Sequence, residues 1–122
     1  MTFDYDPQNL FARILRGEIP AKFLFESDYA VAFPDIAPQA PVHVMVVPKG
    51  PYVSLDHFAA AASPAEQVGF LAAVAEVCRI VGVDGGFRAI ANARADAHQE
   101  VPHFHLHILA GRPLGPLLAK HS

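Results

Sequence analysis

The chain has 122 residues, with nine Lys plus Arg against twelve Asp plus Glu and a formal net charge of −3, so it is sized for one domain and lacks the cationic excess of a nucleic-acid surface. A hydrophobic share of 52% with only 17% charged residues excludes intrinsic disorder and supports a sizeable core. The single cysteine, Cys78, excludes an internal disulfide framework, and an acidic start without a long apolar run predicts a soluble, cytoplasmic protein with no membrane partner.

A short first helix is predicted from Asp6 as N-cap, with Pro7 at the first helical position, to Gly17. Leu10, Phe11, Ile14 and Leu15 give it an apolar stripe. Lys22 to Glu26 and Tyr29 to Phe33 read as strands joined at Ser27-Asp28. The proline-bearing run Asp35 to Pro41 is a shaped loop, and His43 to Val47 follows as a third strand. Ser63-Pro64-Ala65-Glu66 is a capping box that opens a long helix, closed by Gly82. Val68, Leu71, Ala72, Ala75, Cys78 and Val81 mark its expected buried stripe. Phe87 to Ala91 and Phe104 to Leu109 complete five strands, with Arg94 to Glu100 as the loop between them. One long and one short helix beside five strands predict an α+β fold with an antiparallel sheet, in a single domain spanning 1–122.

Of the seven histidines, His103, His105 and His107 alternate with Phe104, Leu106 and Ile108. On a strand this period of two puts three imidazoles on one face and the apolar residues in the core. Neighbours on such a face sit roughly 6.6 Å apart. Two unit charges at that distance repel by roughly 2.5 kcal/mol at an effective dielectric near 20. The cluster is therefore not fully cationic at neutral pH, and at least one ring is a free base. Two chemistries use such a base: a zinc site of three histidines plus water, or nucleophilic attack on phosphorus. Composition alone does not separate them.

The surrounding residues do. His103-Phe-His-Leu-His-Ile-Leu109 followed by Gly111-Arg112, the run Phe11-Ala-Arg-Ile-Leu-Arg-Gly-Glu-Ile-Pro-Ala21, and Phe33-Pro-Asp-Ile-Ala-Pro-Gln-Ala-Pro-Val-His43 with Val46-Val-Pro-Lys49 together resemble the histidine-triad (HIT) family, most closely its Hint branch of nucleotide-binding phosphoramidases. Gly85-Gly-Phe-Arg88 through Asn92 continues the likeness, which runs from about Leu10 to Arg112. The resemblance implies a HIT-like fold whose sheet extends across a homodimer, and hydrolysis of purine nucleoside phosphoramidates through a nucleotidyl-histidine without a required cofactor. It implies His105 as nucleophile, His103 as the group holding the attacking ring in its tautomer, His107 as donor to a non-bridging phosphate oxygen, and His43 as support from the neighbouring strand. Asp35 would accept from the ribose hydroxyls; Phe11, Ile14, Phe33 and Ile36 would form the base slot; Asn92 and Gln99 would contact phosphate or leaving group. Related readings are hydrolysis of dinucleoside polyphosphates or aminoacyl-adenylates by the same nucleophile, and a nucleotide-binding regulatory protein without turnover.

Three departures from that branch stand out. Glu100 occupies the place of a serine that assists the leaving group, and His98 that of a glycine. The tail 113–122, which in the branch reaches the partner subunit, lacks the usual Trp-Pro-Pro-Gly. A carboxylate beside phosphate is repulsive, so Glu100 is expected to stay protonated as a general acid, to recognise a cationic leaving amine, or simply to point into solvent. His57, His98 and His121 carry no assigned role and are expected to face solvent.

Overall fold

The computed structural model describes residues 2–119. Its elements in chain order are α1 (Leu10–Leu15), β1 (Phe25–Glu26), β2 (Ala30–Pro34), β3 (Val42–Pro48), α2 (Leu55–Ala61), α3 (Pro64–Val81), β4 (Phe87–Ile90) and β5 (Leu106–Ala110), with a 3-10 turn at Ala95–Ala97. The five strands form one antiparallel sheet, as the sequence predicts, and their order in it is β1-β2-β3-β5-β4. None of the described helices is long and apolar enough to cross a membrane.

The sheet has two covered faces. On one, α2 and α3 pack over Ala32, Val44, Val46, Phe104 and Ile108. Phe58, Phe70 and Phe104 meet there with ring centroids 5.0–5.3 Å apart. On the other, α1 lays Phe11 and Ile14 over Val31, Phe33, Met45 and Val47. Because β3 alternates, Val44 and Val46 serve the first core while His43, Met45 and Val47 serve the second face.

Helix boundaries differ from expectation in instructive ways. α1 starts three residues late, because Asp6 closes a turn instead: its carboxylate accepts from Gln8 N and its carbonyl from Asn9 N. Asn9, buried, is the true N-cap and accepts from Ala12 N. Gly17 ends the helix in the left-handed region as expected. α3 opens with the expected capping box, Ser63 and Glu66 bonding each other's backbone N–H. Its buried stripe is only partly the expected one: Phe70, Ala73 and Val77 face the core with Cys78 and Val81 packed against it, while Val68 and Leu71 are 69% and 68% exposed. Apolar residues run round most of this helix, and the aromatic partners Phe58 and Phe104 select which side is buried. α2 is a third helix that periodicity did not signal, since Phe58 is its one buried residue.

The last strand begins at Leu106, not Phe104. Ahead of it the backbone makes other bonds: His103 N donates to Val101 O and Phe104 N to Tyr52 O. The alternation nonetheless persists, with Phe104 and Ile108 in the helix-side core and His103 and His105 against Phe11 on the opposite face.

Candidate active site

Each ring of the histidine cluster has a protonation pattern fixed by what it touches. His103 is fully buried; its Nε2 lies 2.7 Å from the Pro48 carbonyl, which can only accept, so Nε2 carries the proton. Its Nδ1 then accepts from the Tyr5 hydroxyl at 2.6 Å. Nδ1 of His105 lies 2.7 Å from the His103 carbonyl and must donate to it, which leaves the His105 Nε2 as a bare lone pair.

A second chain of bonds reaches His107. Gln39 N donates to His43 Nδ1 at 3.1 Å, so His43 holds its proton on Nε2. That proton is given to His107 Nδ1 at 2.8 Å, with the Asp35 carboxylate 3.5 Å away on the same nitrogen. His107 therefore carries its own proton on Nε2. The His105 and His107 rings stand 4.9 Å apart, near perpendicular. One ring thus offers a nucleophilic nitrogen and its neighbour a hydrogen-bond donor.

Burial, more than mutual repulsion, keeps these rings neutral. It pushes His103 and His107 down to about 4, with the charge on His105 a smaller cause in both. Burial also lowers His105, opposed by the His103 carbonyl and by the Asp35 and Glu100 carboxylates. The expected charge crowding is real but secondary.

His103 meets His105 Nδ1 through its backbone carbonyl. The Gln99 side chain is committed to the loop: its amide nitrogen donates to Val53 O and Val101 O and its oxygen accepts from Arg94 N. It clamps the segment ahead of His103. Phe11, Ile14 and Phe33 are buried together, with Phe11 edge-on to His105 at 4.9 Å, whereas Ile36 stands fully exposed outside that wall. Asn92 is half-buried just beyond β4. The Glu100 side chain is 76% exposed and pairs with His98 at 3.1 Å, so the burial that a protonated acid requires is missing. His57 does not face solvent as expected: it accepts from Val53 N and stacks on Phe3. His121 lies outside the described residues, as does the end of the tail.

A zinc site of the three alternating histidines is not what the rings build, because both nitrogens of His103 are engaged elsewhere. Asp35, His43 and His107 do bring one ligand atom each within 4.8 Å of one another. There the His43 proton already occupies the space between the two rings, and a cation would have to displace it.

The loop 94–100 explains the glycine expected at position 98. His98 has φ +56°, a left-handed conformation that glycine adopts without cost, and Arg94 also has positive φ, +66°. Arg94 is tied down by Asp56, with Nη2 2.8 Å from Oδ2, and this pairing holds the Asp56 carboxyl down at about 2. Tyr5 and the Ser54–Asp56 corner were not singled out from sequence; nothing in their local pattern marks them.

An antiparallel sheet whose histidine rings are bonded from neighbouring segments defines an α+β protein that presents one neutral imidazole with a bare Nε2 beside another, also neutral, that carries its proton on Nε2. The chain belongs to the HIT family: the HIT domain pattern matches residues 16–114. It is 54% identical over 121 residues to an uncharacterized 13.2 kDa HIT-like protein of Azospirillum brasilense, covering 98% of this chain and 99% of that one. It is 37% identical over 114 residues to the purine nucleoside phosphoramidase of Escherichia coli K12, covering 92% and 94% of the two chains. Among solved structures, a HIT family hydrolase from Clostridium thermocellum superposes with a TM-score of 0.81 at 31% identity, covering 92% of this chain and 97% of the other.

Proposed function

We propose that this protein hydrolyses purine nucleoside phosphoramidates through a nucleotidyl intermediate on His105. The observation that carries this reading is the tautomer of His105: its Nδ1 proton is spent on the His103 carbonyl, so Nε2 is an unprotonated nucleophile. Nε2 attacks the α-phosphorus, the P–N bond breaks, and the amine leaves with a proton taken up from its surroundings. Water then attacks phosphorus, the P–Nε2 bond breaks, and a nucleoside monophosphate departs. His107 Nε2–H, supplied by the relay from Gln39 N through His43, donates to a non-bridging oxygen as charge builds there. The E. coli relative's name supports the substrate class.

Asp35 accepts from the ribose hydroxyls; its Oδ1 is already turned by Ala37 N. Phe11, Ile14 and Phe33 wall the base, and the fully exposed Ile36 supplies a further apolar contact once nucleoside is bound. The relay needs no metal. Protein quenched during turnover of an adenosine phosphoramidate is expected to carry a nucleotidyl mass on the peptide containing His105. Product formation with no adduct under any quench would refute the covalent route.

Glu100, exposed at the loop beside the triad, recognises a cationic leaving amine; its carboxylate lies within electrostatic reach of both His105 and His107. Glu100→Gln is expected to lower kcat/KM about fivefold for a lysine-like amine and to leave a neutral amine unchanged, since exposed charge pairs contribute up to about 1 kcal/mol. Equal effects on both amines would remove this role.

The chain also forms a homodimer in this reading. β4 is an edge strand with Phe87 47% exposed and Ala89 open beside it, which invites pairing with a second copy. Phe87→Lys with Ala89→Lys places like charges across such a seam and is expected to yield monomers by sedimentation velocity. A wild-type monomer, or an unaltered dimer in the double variant, contradicts the assignment.

A further inference from the structure

The segment ahead of α1 has no regular structure, yet it is fastened at several points. Phe3 stacks on His57 with centroids 4.5 Å apart and planes 6° from parallel. Farther along, the Asp6 carbonyl accepts from both the backbone and the side chain of Asn9. Between these anchors the Tyr5 hydroxyl reaches His103 Nδ1 at 2.6 Å, and its ring meets the His103 ring edge-on at 5.6 Å.

We propose that Tyr5 is a positioning residue for the nucleophile: its hydroxyl locks the His103 ring and, with it, the backbone carbonyl that holds His105 in its reactive tautomer. This rests on the reading that His105 Nε2 attacks phosphorus.

Residues 103–105 lie outside the β-ladder, so regular strand pairing does not set their position. Their fixed points are the Val101 and Tyr52 carbonyls on the backbone, and the Pro48 carbonyl and Tyr5 hydroxyl on the His103 ring. Among the described residues, Tyr5 makes the one side-chain hydrogen bond to that ring. With Nε2 held at one end and Nδ1 at the other, a fully buried ring cannot turn, and the peptide it is attached to stays in place. Removing the hydroxyl leaves a buried acceptor without a donor, and the ring and its carbonyl move to find one. The bond from His105 Nδ1 to that carbonyl then weakens, and the alternative tautomer, protonated on the attacking nitrogen, becomes populated.

Tyr5→Phe keeps the ring and deletes the hydroxyl; Tyr5→Leu deletes both. In Tyr5→Phe, the ring-nitrogen NMR shifts of His105 are expected to move from a single Nδ1–H form to a mixture. Its kcat should fall about tenfold, with KM changed less than about twofold, because the nucleophile is misplaced and substrate contacts are not. A single tautomer with kcat within about twofold of wild type overturns the proposal. So does full activity in Tyr5→Phe with loss only in Tyr5→Leu, which would assign the effect to ring packing. A rise in KM at constant kcat overturns it too. If wild-type protein forms no nucleotidyl adduct, the reading of the reaction fails separately, and the nitrogen spectra, which need no substrate, still decide what Tyr5 does.

Discussion

His105→Ala is expected to lower turnover of a nucleoside phosphoramidate by at least about a thousandfold and to abolish the proposed nucleotidyl adduct, because the attacking atom itself is removed. What remains, stabilisation of developing charge by His107, has no bond to make. Nucleotide binding is expected to survive, since the proposed contacts, Asp35 and the apolar wall of Phe11, Ile14 and Phe33, keep their side chains. The pH dependence of the parent follows from the same nitrogen. Burial holds His105 below the ordinary 6.5, so kcat stays level as pH falls from neutral through that value. It declines only when pH passes the lowered pKa and Nε2 takes a proton. Stopped-flow or steady-state assays across the acidic range check both points. A variant retaining more than a few per cent of activity, or a parent that loses activity already above about pH 7, would contradict the assigned nucleophile.

The second large effect lies one residue earlier on the opposite face. Phe104 is 1% exposed and joins Phe58 and Phe70 in the aromatic cluster beneath α3. Phe104→Ala removes that ring from a close-packed site and should cost about 3–5 kcal/mol, the range for Phe to Ala in a core. For a chain of this size the midpoint of thermal unfolding falls by roughly 10–20 °C. Calorimetry or a urea titration measures it. A loss under about 1 kcal/mol would mean the cluster does not anchor the sheet. Because Phe104 lies between His103 and His105, its loss also loosens the stretch that aims the nucleophile, so kcat falls along with stability.

The elements that sequence alone revealed are those whose signal is local. Ser63 and Glu66 bond each other's backbone three residues apart, and the capping box stands where the pattern put it. The five strands and their antiparallel pairing follow from alternation and turn residues, and the HIT assignment from motifs spread along the chain. Signals that depend on distant partners were read less well. Asp6-Pro7 has the form of a helix start, but the Asp6 side chain satisfies Gln8 and hands the cap to Asn9. Val68 and Leu71 fit a buried stripe, yet the aromatic rings that choose the buried side lie on α2 and ahead of β5. At the site, the alternation located His103, His105 and His107 correctly on one face. Their division of labour was not readable, because it is set by the Pro48, His103 and Tyr5 groups to which each nitrogen is bonded. The Gln99 clamp on its loop went unread for the same reason: nothing nearby in sequence announces the Val53 carbonyl.

β5 lies inside the sheet, paired with β3 on one side and β4 on the other. Separating His107 from its surroundings therefore means breaking two ladders at once, and thermal fluctuation at that strand approaches the cost of opening the whole domain. Ile36 on one loop and His98 and Glu100 on another hang from the ends of these strands and take no part in either ladder; in the proposed reaction they would lie nearest the substrate's variable parts. Mutation can thus retune which base or amine is accepted while the bond-breaking apparatus stays unchanged, and a single scaffold can diversify its clientele without relearning its chemistry.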